Sequence, residues 1–160
     1  MPAHPKSTTL RGLGSEIHCD AGISPKLARE IHARTEHQNM DLEVSMVGGM
    51  ELLHLIKPYQ KLIIIDSILS KDILPGKINI HHYPDCPDSL HLSNGHDANF
   101  CMLKEFAEIS GIPSPVKITI ITVSVKDPFT VSDELSDELQ MIFPALLDKI
   151  VTILGGPSAP

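Results

Sequence analysis

The run Lys61-Leu62-Ile63-Ile64-Ile65-Asp66 places four aliphatic residues, three of them β-branched, directly before a carboxylate. Such a run reads as a strand buried on both faces of a parallel sheet. In sheets of that kind, ligands and catalytic groups gather just beyond the carboxyl ends of the strands. A carboxylate at that lip can hold a metal ion or move a proton, and it can equally cap the turn that follows. Histidine is frequent, with nine copies, and His81, His82, His91 and His96 cluster around one polar loop. His81 and His82 are adjacent in an expected edge strand, so at most one of them faces any given site. His96 closes a Ser/Asn/Gly-containing loop and opens a helix, where an imidazole can reach inward. Asp66 with His96 forms a carboxylate and imidazole pair suited to zinc, nickel or iron.

The surrounding elements must bring those two residues together. Ser7 to Arg11 is a short first strand, followed by the turn Gly12-Leu13-Gly14-Ser15. A helix begins at Pro25 with Ser24 as N-cap and runs to Arg34, with Leu27, Ala28 and Ile31 on one face. Leu42 to Val47 alternates as a strand, and Met50 to Ile56 reads as a short helix. After the Asp66 strand and the turn at Pro75-Gly76, Lys77 to Tyr83 is the edge strand. Residues 84–94 form a polar loop, and residues 97–110 a helix with Phe100, Leu103, Phe106 and Ala107 on one face. Val116 to Val123 is a strongly β-branched strand. A last helix runs from about Asp133 to Leu154, with Leu135, Leu139, Ile142, Leu146, Ile150 and Ile153 in one stripe. Strands alternating with helices in this order predict an α/β fold, a three-layer α/β/α sandwich around a mostly parallel sheet of about five strands.

Residues 1–160 fit one domain with a full core. A formal charge of −7 argues against nucleic acid as the main partner. No apolar run is long enough to span a membrane, and the first residues lack the apolar stretch of a signal peptide, so the expected location is cytoplasmic. Cys19, Cys86 and Cys101 show no CxxC spacing and cannot all pair, which suits a reducing compartment better than a disulfide framework.

Several familiar chemistries are missing their residues. The third glycine of a dinucleotide fingerprint falls at Ile17, so Gly12-Leu13-Gly14 reads as a tight turn. The strand ending near Val47 carries an acid only at its start, Glu43, so no ribose partner stands where one is needed. No nucleotide is expected. There is no Gly-x-Ser-x-Gly elbow and no Walker sequence.

Taken in order, Gly12-Leu-Gly14-Ser-Glu-Ile-His-Cys-Asp20-Ala-Gly22, Gly49-Met-Glu-Leu-Leu53, Leu62-Ile-Ile-Ile-Asp66-Ser, Pro75-Gly76 and Ser93-Asn-Gly-His96 resemble the nickel–iron hydrogenase maturation endopeptidases. The resemblance spans roughly Thr9 to Leu154. It implies a three-layer α/β sandwich that clips the C-terminal extension from a hydrogenase large-subunit precursor once nickel is inserted. It also implies a monomer, with nickel supplied by the substrate and recognised by an acid after the glycine turn, the strand Asp and the loop His. Asp66 and His96 take the last two roles.

The first role is vacant in the most direct register, where Ala21 occupies the acidic position and Ser15 replaces an asparagine. Asp20 is the nearest acid and becomes the third candidate metal ligand, with Glu16, His18 and Cys19 as other donors in the same turn. Ala21 also supports the alternative of a catalytically degenerate relative that acts as a binding or assembly factor.

Overall fold

The structure is a computed structural model that describes residues 7–35, 39–93 and 99–155. Five strands form one sheet in the order β2-β1-β3-β5-β4, with β1 Thr8–Leu13, β2 Met40–Ser45, β3 Lys61–Leu69, β4 Ile78–His82 and β5 Lys117–Val125. The first four in that order pair in parallel, and β4 runs antiparallel to β5 at the far edge. Helices α1 (Ile23–Arg34) and α3 (Asp137–Ile153) cover one face. The 3-10 segment Gly49–Leu55 and helix α2 (Phe100–Ile109) cover the other. The three-layer, mostly parallel α/β architecture expected from the sequence is the one observed.

Strand β3 shows why it had to be central. Ile63 and Ile65 pack with Leu27, Ile31 and Leu147 on the α1/α3 face. Leu62 and Ile64 pack with Leu52, Phe100 and Leu103 on the opposite face. A strand apolar on both sides is stable only where both sides are covered. Close approach of α1 to β1 depends on Gly12, where a Cβ would lie 2.8 Å from the Ala28 Cβ and from the Ser24 carbonyl oxygen.

Several local expectations are corrected. Helix α1 starts at Ile23 with Gly22 as its N-cap, which puts Ser24 and Pro25 inside the first turn. Residues 49–55 wind as 3-10 rather than α-helix. Helix α3 begins at Asp137, because the chain before it is occupied in packing beside the glycine turn. Phe106 and Ile153, assigned to buried stripes, are exposed. The expectation of separate thiols fails for Cys86 and Cys101, which form a disulfide with Cα atoms 6.2 Å apart, a separation a disulfide can span. Among the described residues no helix is long and apolar enough to cross a membrane.

Strand order places a crevice over Asp66. From β1 the chain moves outward to β2, then returns across to β3 on the other side, so the order reverses between β1 and β3. Such switch points leave a gap above the carboxyl ends of the strands. Pairing of β1 with β3 ends at Gly12↔Ile65, and Asp66 is the next residue. It pairs onward only with β5, opposite Thr122.

Candidate functional site

Asp66 is fully buried, and a buried carboxylate must find donors. It finds five. Oδ1 accepts from the Ser67 N–H at 2.9 Å and from the His91 Nδ1 at 2.8 Å. Oδ2 accepts from the Ser89 hydroxyl at 2.7 Å, the His91 N–H at 2.8 Å and the Leu92 N–H at 3.2 Å. Four of the five come from residues 89–92, so the carboxylate organises that loop. Since a carboxylate has about four lone-pair sites, none is left over. The bond from Nδ1 also orients the His91 ring, and in the neutral imidazole it makes Nε2 the nitrogen with the free lone pair.

His91 and Ala21 line a cleft of about 300 Å³ together with Ser15, His18, Met46, Leu90, Pro128 and Phe129. These residues come from the ends of β1 and β2, the glycine turn, the Asp66-bound loop and the segment after β5. A side chain at Gly14 would collide with the Ala21 carbonyl oxygen, so the turn after β1 is closed too tightly for any other residue. That closure presents Ser15 and His18 to the cleft. His18 Nδ1 lies 2.7 Å from the Ser15 Oγ. The turn is held from above, with the Cys19 N–H donating to the Ser132 carbonyl at 2.9 Å and the Ser132 N–H to the Ile17 carbonyl at 3.0 Å.

The other acid of the turn works elsewhere. Asp20 is fully buried, accepting from the Ser136 N–H at 2.8 Å and the Asp127 N–H at 3.2 Å. Its carboxylate therefore ties the segment 127–136 down over the turn. Ala21 is buried at the cleft wall and offers no donor side chain. Glu16 points to Arg29 at 3.0 Å, and that bond holds its carboxyl below the usual range. Burial, followed by the nearby Asp20 and Asp127 carboxylates, pushes the Cys19 thiol upward. A soft thiolate ligand is disfavoured there.

Of the three candidate ligands, Asp66 thus stands under the cleft, Asp20 beside it, and His96 lies outside the described residues. Among the described residues no three His, Cys, Asp or Glu side chains converge as a metal site. Asp66 accepts N–H and O–H donors and Asp20 accepts the Asp127 and Ser136 N–H groups, while His96, the remaining member of the expected set, is not among the described residues. Ser89 is the residue that sequence reasoning missed; His91 was noted only as one of the clustered histidines, and His18 only as an alternative donor in the glycine turn. The available signal was the Ser89-x-His91 spacing, which lets two side chains two residues apart reach one buried acceptor.

The HycI family model, described as hydrogenase maturation protease, matches residues 25–153. No curated protein matches at a significant level. Among solved structures, the chain is similar to the hydrogenase maturating endopeptidase HybD from E. coli, with a TM-score of 0.71 and 19% identity, over 92% of this chain and 91% of that one. It is also similar to the [NiFe] hydrogenase maturation protease HybD from Thermococcus kodakarensis, with a TM-score of 0.61 and 20% identity, over 92% and 97%. A [NiFe] hydrogenase maturation protease HycI from Thermococcus kodakarensis KOD1 has a TM-score of 0.62 and 14% identity, over 94% and 93%.

Proposed function

The chain belongs to the hydrogenase maturation protease family, and we propose that it is an endopeptidase that removes the C-terminal extension of a nickel–iron hydrogenase large-subunit precursor after nickel insertion. The observation that carries this reading is the His91 imidazole, fixed by the buried Asp66 and lining an open cleft at the switch point of the sheet. A rigidly aimed ring is the kind of group that can recognise a metal brought by the substrate. His91 is then the residue in contact with the substrate, and Asp66 a positioning residue that acts through it.

The reaction is hydrolysis. Water adds to the scissile carbonyl carbon, the C–N bond breaks, and the extension leaves with a free amino terminus while the mature subunit keeps a carboxylate. Among the described residues that line the cleft there is no cysteine, and Ser15 is only 5% exposed. Water is therefore the nucleophile. Met46 and Phe129, both exposed at the cleft, supply apolar surface for the peptide on either side of the scissile bond.

A second reading is favoured by Ala21. An acid-to-alanine change inside the cleft fits a relative that binds the precursor and assists assembly without cutting it. The two readings part in one experiment. A nickel-loaded precursor is incubated with the protein, and its intact mass is followed, with His91→Ala in parallel. A discrete C-terminal mass lost only with the unmutated protein supports the peptidase. An unchanged mass, for a precursor that another family member does cleave, supports the binding factor.

A further inference from the structure

The turn that lacks its acid contains another donor in a prepared orientation. We infer that His18 takes the place left by Ala21, and that His18 and His91 together form a two-imidazole seat for a borderline divalent metal ion, Ni²⁺ in the first instance. The inference rests on the maturation reading for the identity of the metal, but the binding itself can be measured without substrate.

Elimination narrows the choice. Asp20 spends its carboxylate on the 127 and 136 amides. Glu16 is turned to Arg29, Cys19 is buried beside two carboxylates, and Ala21 has nothing to offer. Asp66 is saturated by five donors. Among the described residues, His18 and His91 are the two remaining imidazole, thiol or carboxylate side chains that line the cleft.

The chemistry of the two rings agrees. Histidines that bind metals have one ring nitrogen fixed by an oxygen acceptor, which sets the tautomer and leaves the other nitrogen for the metal. His91 Nδ1 donates to Asp66 at 2.8 Å, and His18 Nδ1 stands 2.7 Å from the Ser15 hydroxyl, which can accept from an Nδ1–H. Among the described residues, neither Nε2 has a protein partner. Two neutral imidazoles suit nickel, copper or zinc better than a hard ion such as magnesium. Two ligands leave coordination positions open, so a metal still held by substrate thiolates could be engaged without being removed. His81 Nδ1 also meets a carboxylate, the exposed Asp85, but His81 stands on the edge strand β4 and does not line the cleft.

The test titrates Ni²⁺ into the metal-free, full-length protein and follows the histidine ring signals by NMR. The expected result is that paramagnetic broadening reaches His18 and His91 first and together, at substoichiometric Ni²⁺, while His54 and His81 stay sharp. By calorimetry, His18→Ala and His91→Ala should each weaken binding at least tenfold, His54→Ala should not, and Ala21→Glu should restore much of the loss in His18→Ala. His18→Gln is measured alongside, so that a fold defect in the alanine variant does not decide the matter. Broadening at His91 with His18 untouched, or unchanged affinity in both His18 variants, would overturn the proposal. So would an absence of saturable binding. A protein that cleaves precursor yet shows any of those results would leave the processing reading standing and remove only this metal seat.

Discussion

Asp66 gains its importance from what it holds. With five donors converging on one buried carboxylate, Asp66→Asn keeps the volume but turns an amide N–H toward donors that need an acceptor. Hydrogen bonds to a charged group contribute about 1.5–3 kcal/mol each, and leaving several donors unmatched should cost about 3 kcal/mol or more in total. Urea unfolding checks this. Ser89→Ala removes only one of the five, at 2.7 Å, and should cost about 2 kcal/mol with the fold intact. Equal losses in the two variants would mean that Asp66 is not the hub of the loop. A milder effect belongs to Asp127, whose carboxyl is held below the ordinary range by the Thr130 hydroxyl and N–H and by the Phe129 N–H. A lowered folded value means that this contribution is present above the unfolded value of about 3.9 and is lost as the pH falls through the folded one. The Phe129 and Thr130 amide signals should therefore stay fixed from pH 8 to about 5 and shift only in more acidic solution. Movement near pH 6 would assign the turn to a different group.

Two elements set the shape of the cleft, the glycine turn and the loop that carries His91. Gly12→Val should destabilise the protein by about 2 kcal/mol or more, because its Cβ would press on the Ala28 side chain and on the backbone carbonyl of Ser24. An unchanged denaturant midpoint would mean that α1 can retreat from β1. The His91 loop is further fastened by the disulfide between Cys86 and Cys101, which lie at a sequence separation of 15. A loop of that size gives about 3 kcal/mol in the chain-entropy view. Thiol titration of unfolded, unreduced protein should accordingly find one free thiol, Cys19, and three would contradict the pairing. The elements themselves were largely legible, since β3 and β5 announce themselves by β-branched runs and α1 by its apolar period. The run was expected to close at Asp66, but β3 continues to Leu69 because Ser67, Ile68 and Leu69 still pair with β5; only the pairing with β1 stops before Asp66. What faces Asp66 was not legible. Residues 84–94 carry no periodicity, and only the demand of a buried carboxylate for donors selects Ser89 and His91 from that loop. The cysteine pair was equally hidden, because a separation of 15 residues has no local signature. Asp20 was the nearest acid to Ala21 in the sequence, but that its carboxylate is tied to the segment 127–136 depends on amides more than a hundred residues later.

At the scale of the whole molecule, one sheet joins β1, β3 and the loops beyond them in the fold of the hydrogenase maturation proteases, with Ala21 rather than an acid at the wall of the cleft. In the proposed reaction the ring held by Asp66 is the group that meets the precursor, which assigns that role to His91 rather than to His96. The most direct measurement is the cleavage rate of one nickel-loaded precursor by the unmutated protein, His91→Gln and His96→Gln, read by intact mass. The expected result is cleavage by the unmutated protein, a loss of about a hundredfold or more in His91→Gln, of the order seen when a positioned catalytic group is removed, and nearly full activity in His96→Gln. Full activity in His91→Gln with loss in His96→Gln would contradict it and would return the site to the histidine at the far end of the loop.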